Sequence, residues 1–126
     1  CLVGSEMCIR DRYEAYGGLQ NDGIMLAVYY DVDAAKIIHQ LDSWEKINDS
    51  PTISSILKNV SSYFGLDFVI PEIASGNFFL YDNSQHKELR SEAEMNTLLL
   101  HSEDVNFSLV VWDDEKHTIY IVEYRI

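Results

Sequence analysis

The sequence predicts an α+β fold: a mostly antiparallel sheet with helices packed on one face, in the order β-α-α-β-α-β-β. Three observations carry this reading. Apolar residues recur at helical spacing in three separate stretches. Between these stretches lie short apolar runs of strand length. The chain then closes on two apolar strands joined by four polar residues.

The run Ile24 to Tyr30 is apolar on both alternating faces, as expected of a strand buried on both sides and central in its sheet. The preceding stretch, Tyr13 to Gly23, is rich in Gly, Asn, Asp and Gln and reads as a loop or as the stub of a severed element. Asp33 stands where a cap is needed for a helix over roughly 34–47, in which Ile37, Ile38, Leu41 and Trp44 fall at helical spacing. Trp44 is expected to anchor that helix in the core, and Asn48-Asp49-Ser50 ends it. The next helix carries the clearest signals. Ser50 caps it, Pro51 takes its first position and Gly65 closes it, while Ile53, Ile56, Leu57, Val60 and Phe64 line one face.

Leu66 to Ala74 contains Pro71 and reads as a connection, followed by a short strand over Asn77 to Tyr81. His86 to Leu100 reads as a third helix with Leu89, Ala93, Met95 and Leu98 inward. Phe107 to Trp112 and His117 to Tyr124 form a hairpin across Asp113-Asp114-Glu115-Lys116. On its last strand Thr118, Tyr120, Val122 and Tyr124 share a face. That face either packs on the helices or forms an exposed aromatic stripe, and the pattern leaves both open.

The chain carries a net charge of −12, which rules against binding nucleic acid through its overall field, because phosphates are neutralised by clustered Lys and Arg. A basic protein is the partner such charge fits, although acidity also serves solubility alone. At 47% hydrophobic the chain has the material for a core, which argues against disorder. Its longest apolar run, Ile24 to Tyr30, is far too short to span a bilayer as a helix. Nothing in the pattern fixes an oligomeric state.

Candidate chemistry is sparse. Asp31 and Asp33 flank Val32 and would point the same way on a strand, as a metal or acid/base pair does; the simpler reading makes Asp33 a helix cap. Asp113, Asp114 and Glu115 lack the ligand spacing and the glycine of a calcium loop and read as a solvated hairpin tip. His39, His86, His101 and His117 are scattered, so a zinc site would need tertiary convergence. No phosphate-binding glycine loop, nucleophile elbow or dinucleotide fingerprint is present, so no catalytic residue, metal or cofactor is assigned. If the hairpin offers a partner surface, it consists of Trp112, Asp113, Asp114, Glu115, Tyr120 and Tyr124, although a core position is the stronger reading for Trp112.

Residues 2–12, Leu-Val-Gly-Ser-Glu-Met-Cys-Ile-Arg-Asp-Arg, stand apart. The stretch from Glu6 can be written in codons as GAG ATG TGT ATA AGA GAC AG. It resembles the adapter end that transposase-based library preparation attaches to DNA fragments. The resemblance implies that residues 1–12 are a non-native scar, to be left out of fold reasoning. It also implies that the chain comes from environmental or transcriptome reads, and that residues 13–126 are one domain, with the possibility of N-terminal truncation. Both cysteines, Cys1 and Cys8, then belong to the scar, leaving a cysteine-free native segment. Within the scar Arg10 and Arg12 balance Glu6 and Asp11, so the charge belongs to the native part.

A second resemblance covers residues 24–81. The strand Leu26-Ala27-Val28-Tyr29-Tyr30-Asp31 is followed by a helix pair, Gly65-Leu66-Asp67, Ile70-Pro71-Glu72-Ile73 and Gly76-Asn77-Phe78-Phe79-Leu80. The series is similar to one module of a group of bacterial exported proteins of unknown function, without the Pro-Ala-Asp-Ala-like opening of those modules. It implies an exported or membrane-tethered protein, periplasmic or beyond, with no catalytic residue to carry over. The function expected from these readings is a non-enzymatic domain of a bacterial exported protein. The alternative is a small acidic inhibitor or immunity-type protein that masks a basic partner.

Overall fold

The computed structural model describes residues 11–16, 23–64, 70–100 and 105–125. The expectations placed on Cys1, Cys8, residues 2–10, Gly65-Leu66-Asp67 and His101 lie outside them. The elements are β1 (Asp11–Tyr16), β2 (Gly23–Tyr29), α1 (Ala34–Leu41), β3 (Glu45–Lys46), a 3-10 turn (Ile47–Asp49), α2 (Pro51–Phe64), β4 (Gly76–Asp82), β5 (Lys87–Leu89), α3 (Glu92–Leu100), β6 (Asn106–Asp113) and β7 (Thr118–Arg125). The strands form one antiparallel sheet in the order β1-β2-β7-β6-β4-β3, with β5 beside the later half of β4. The α+β class and the order of the major elements are those the sequence predicts.

Besides the short strands β3 and β5, which replace ends of expected helices, β1, α1 and the third helix depart from expectation, each for a local reason. Part of the stretch expected as a loop or stub is strand β1, which runs back across the inferred scar boundary: Asp11 is opposite Val28 and Arg12 opposite Ala27. Strand pairing is made by backbone groups, so an edge strand needs no particular side chains. Helix α1 stops at Leu41 instead of reaching Ile47. There the Ser43 amide (3.1 Å) and hydroxyl (2.8 Å) both donate to the Gln40 carbonyl, and the chain turns into β3. The third helix starts at Glu92, six residues later than expected, behind a capping box. The Glu94 amide donates to the Ser91 hydroxyl at 3.1 Å, and the Ser91 amide donates back to the Glu94 carboxylate at 3.3 Å.

α2 forms as the sequence predicts. The Ser50 hydroxyl accepts from the Ile53 amide at 3.2 Å, and Ile53, Ile56, Leu57 and Val60 are buried. With Met95 and Leu98 of α3, they cover the sheet face carrying Leu26, Val28, Phe78, Leu80, Phe107, Leu109, Val111 and Val122. This is the main core, and α2 and α3 share that face; the expectation that all the helices pack on one face does not hold, because α1 caps the other apolar face of the same strands. α1 lies on the other face, where Ile37 packs with Ala27, Tyr29, Trp112 and Ile119. The central strands therefore bury both faces, which explains their unbroken apolar runs.

The hairpins β4–β5 and β6–β7 are built alike. Each turn begins with a buried aspartate: Asp82 Oδ1 accepts from Ser84 (2.9 Å) and Gln85 (3.2 Å), and Asp113 Oδ1 from Glu115 (3.1 Å) and Lys116 (3.2 Å). Each ends with a histidine in the left-handed region, His86 at φ 54° and His117 at φ 49°. That conformation costs an L-residue about 1–2 kcal/mol, and the extra unfolded-state freedom of glycine returns about 0.5–1 kcal/mol of it. His86→Gly is therefore expected to raise the denaturation midpoint, by the equivalent of about 0.5–1 kcal/mol. His117→Gly gains less, because the His117 ring stacks on Trp112 at a centroid distance of 5.6 Å. A lowered midpoint for His86→Gly would contradict this account of the turn.

Candidate functional site

The six residues proposed as a hairpin surface do not form one. Trp112 is fully buried on the α1 side, where its indole Nε1 donates to Asp114 at 3.3 Å. Asp113 is 2% exposed because its carboxylate organises the turn. Tyr120 is buried on the opposite face, among the residues under α2 and α3. Its burial, with Asp113 and Tyr30 nearby, pushes the phenol up to about 12. Tyr124 is half-buried and stacks on Phe107 at 5.0 Å. Only Asp114 and Glu115 are exposed. Of the two arrangements left open for the last strand, the structure takes the one packed on the helices.

The acidic candidates hold the fold as well. Asp33 Oδ1 accepts from the Ala35 amide at 3.0 Å and caps α1. Asp31 is exposed at φ 54°, so the two carboxylates do not sit side by side on a strand. His39 is exposed in the last turn of α1, and His86 and His117 sit at hairpin tips at opposite ends of the β4–β6 pair. Among the described residues no group of three or more His, Cys, Asp or Glu is placed to hold a metal ion.

Two carboxylates on α3 show shifted acidity. Glu94 receives Lys87 Nζ at 2.7 Å together with the Ser91 and Arg90 amides and the Ser91 hydroxyl, which bring it from its ordinary 4.5 down to about 2. A carboxylate acidified by folding contributes stability that is present above its unfolded value and lost as pH falls through its folded one. Unfolding followed from pH 5 to pH 2 is therefore expected to show a shallower loss of stability for Glu94→Gln than for the parent chain. Identical acid limbs would remove Glu94 from the account. Glu92 joins the starts of α2 and α3. Burial raises its pKa, but hydrogen bonds from Ser50 and Thr52 outweigh this and hold it below the ordinary carboxylate value. Thr52 Oγ1 donates to Glu92 Oε2, the Asn96 side-chain amide lies 3.2 Å from the same hydroxyl, and Glu92 Oε1 is enclosed without a hydrogen-bond partner.

The surface that sequence reasoning missed is on the α1 side of the sheet. Trp44, expected inside a helix, lies beyond the end of α1 with its ring 6.3 Å from Phe79, and Phe79 stacks with Tyr81 at 6.5 Å. All three are half-buried. Beside Tyr81, Ser108 Oγ donates to Glu123 at 2.5 Å and Asn83 Nδ2 donates to Ser108 at 3.0 Å. The available signal was the alternation Phe79, Tyr81 in β4, whose intervening partners Phe78 and Leu80 face the main core.

The arrangement defines a class: an α+β protein built on one antiparallel sheet, with a half-buried aromatic strip, Trp44, Phe79 and Tyr81, on its α1-side face. Compared with protein families, curated proteins and solved structures, the chain matches none. No helix of the described residues is long and apolar enough to cross a membrane.

Proposed function

We propose that this chain is a non-enzymatic domain of a bacterial exported protein and that it acts by binding a basic protein. The observation that supports it most is the use made of the carboxylates. Asp33, Asp82, Asp113 and Glu94 each accept backbone N–H groups at a helix start or a turn, and Glu92 joins two helices. Those groups maintain the fold, while the net charge of −12 remains available to attract a cationic partner. Export rests on the similarity of residues 24–81 to modules of exported proteins. The adapter-like residues 2–12 are read as foreign to the native gene.

The test is the contiguous genomic sequence upstream of the codon for Tyr13. An export signal or a further module in the same frame is expected there; a cytosolic reading frame that starts near Tyr13 removes the export reading. The charge and size also favour a stand-alone inhibitor or immunity-type protein, and a toxin or nuclease gene next to this one would favour that setting. In either setting association with the partner is expected to weaken with salt.

A further inference from the structure

β4 has two different partners along one edge. Lys87, Glu88 and Leu89 of β5 lie opposite Asp82, Tyr81 and Leu80, and Glu45 and Lys46 of β3 lie opposite Phe78 and Asn77. Both segments are antiparallel to β4, so the edge reads 87-88-89 and then 45-46, one strand assembled from two distant stretches of chain. The two meet at Phe79. Continued by one residue, β5 would place Arg90 opposite it and β3 would place Trp44 there. Instead the chain turns away on both sides, into the Ser91 cap of α3 and back toward the end of α1. One side chain bridges the break. Arg90 Nη1 donates to the Ser43 carbonyl at 2.9 Å and lies 3.4 Å from Glu45, while Nη2 lies 2.6 Å from Glu88. At the far end of β5, Lys87 reaches Glu94 of α3 at 2.7 Å.

Residue chemistry changes across this edge. Gly76-Asn77-Phe78-Phe79-Leu80-Tyr81 of β4 is uncharged, mostly apolar and free of proline, the composition of a segment that pairs with copies of itself. Of the five residues on the covering segments, Lys87, Glu88, Glu45 and Lys46 are charged and Leu89 alone is not. Short, charged and interrupted strands keep a sheet edge from adding a further strand. Strands of two and three residues are also too short to hold an edge by themselves, so the cross-link at the break matters. We propose that β3 and β5 together act as a guard strand latched by Arg90, and that release of the latch lets β4 pair with β4 of a second copy of the chain. The net charge of −12 opposes that encounter at low ionic strength. Salt therefore acts twice, weakening the latch and screening the repulsion.

The test uses the full chain. Arg90→Ala is expected to speed hydrogen exchange of the amides that join β3 and β5 to β4 by about tenfold. In moderate salt it is also expected to give a concentration-dependent dimer by light scattering, whereas the parent chain stays monomeric. Adding Asn77→Lys to Arg90→Ala places a charge in the pairing segment and is expected to abolish the dimer. Ile119→Val loosens the α1-side cluster away from this edge. It is expected to stay monomeric, which separates loss of the latch from general destabilisation. An Arg90→Ala chain that stays monomeric at every concentration overturns the proposal. A dimer that survives Asn77→Lys, or that Ile119→Val also forms, overturns it too. Should Arg90→Ala fail to fold, the parent chain at rising salt carries the test. The β3–β4 and β4–β5 amides are expected to exchange faster while those joining β2 to β7 do not, and an equal response of all of them overturns the proposal.

Discussion

Trp112→Ala is expected to lower stability by about 3–5 kcal/mol, the cost of removing a large aromatic ring from a packed site that cannot collapse. The ring is wholly enclosed beneath α1 with Ala27, Tyr29, Ile37 and Ile119, and His117 stacks on it. Domains of this size are stable by about 5–15 kcal/mol, so the variant is expected to be partly unfolded at 37 °C. Trp44→Ala serves as the internal comparison: Trp44 is half-buried, and its loss is expected to cost well under half as much. Denaturant unfolding followed by circular dichroism measures both. Equal costs, or a Trp112 cost below about 1 kcal/mol, would mean that the α1-side cluster does not hold the sheet and helix together.

Gly76→Ala is expected to cost about 3 kcal/mol, for a different reason. A Cβ at position 76 would come 1.9 Å from the carbonyl oxygen of Trp112 and 3.2 Å from Ile73 Cγ2. The oxygen is backbone and cannot swing aside, so the start of β4 would have to separate from β6. The Gly76–Asp113 pairing and the hydrogen bond from the Asp114 amide to the Ser75 carbonyl, 3.0 Å long, would separate with it. The effect is overpacking at the upper end of its usual range, because the displaced group is main chain. Loss of amide protection confined to 75–78 and 112–114 would support this account; an unchanged midpoint would refute it.

Both positions show how far the sequence could be read. α2 was legible because its cap, its first-turn proline and its apolar stripe agree, and all of those signals are local. The β6–β7 hairpin was legible for the same reason. β1 was not, because in Asp-Arg-Tyr-Glu-Ala-Tyr the apolar alternation is limited to Tyr13 and Ala15; it is held by backbone pairing to β2, which the one-dimensional pattern does not display. In the third helix Leu89 fitted the helical period, and the Ser91–Glu94 capping box that places the start later was passed over. β5 has only three residues and takes its conformation from β4. The face of Trp112 was undecidable because β6 is apolar on both sides. Which side faces solvent depends on where α1 lands, a long-range fact. The aromatic strip was hidden for the same reason: β4 is apolar at Phe78, Phe79, Leu80 and Tyr81, and only the long-range pairing shows that Phe79 and Tyr81 lie on the α1 side beside Trp44.

The position of β7 has a mechanical consequence. The C-terminal strand lies inside the sheet, yet its far end, Arg125, pairs with Gly23 at the beginning of β2. Asp11 and Arg125 lie at opposite ends of the parallel strands β1 and β7, so a force applied between these two residues loads the β1–β2 ladder in shear. Once β1 is free, the load falls on the adjacent Gly23–Arg125 pair and opens the β2–β7 ladder one hydrogen bond after another. The first rupture is therefore expected to need the higher force, with the rest of the sheet yielding more easily.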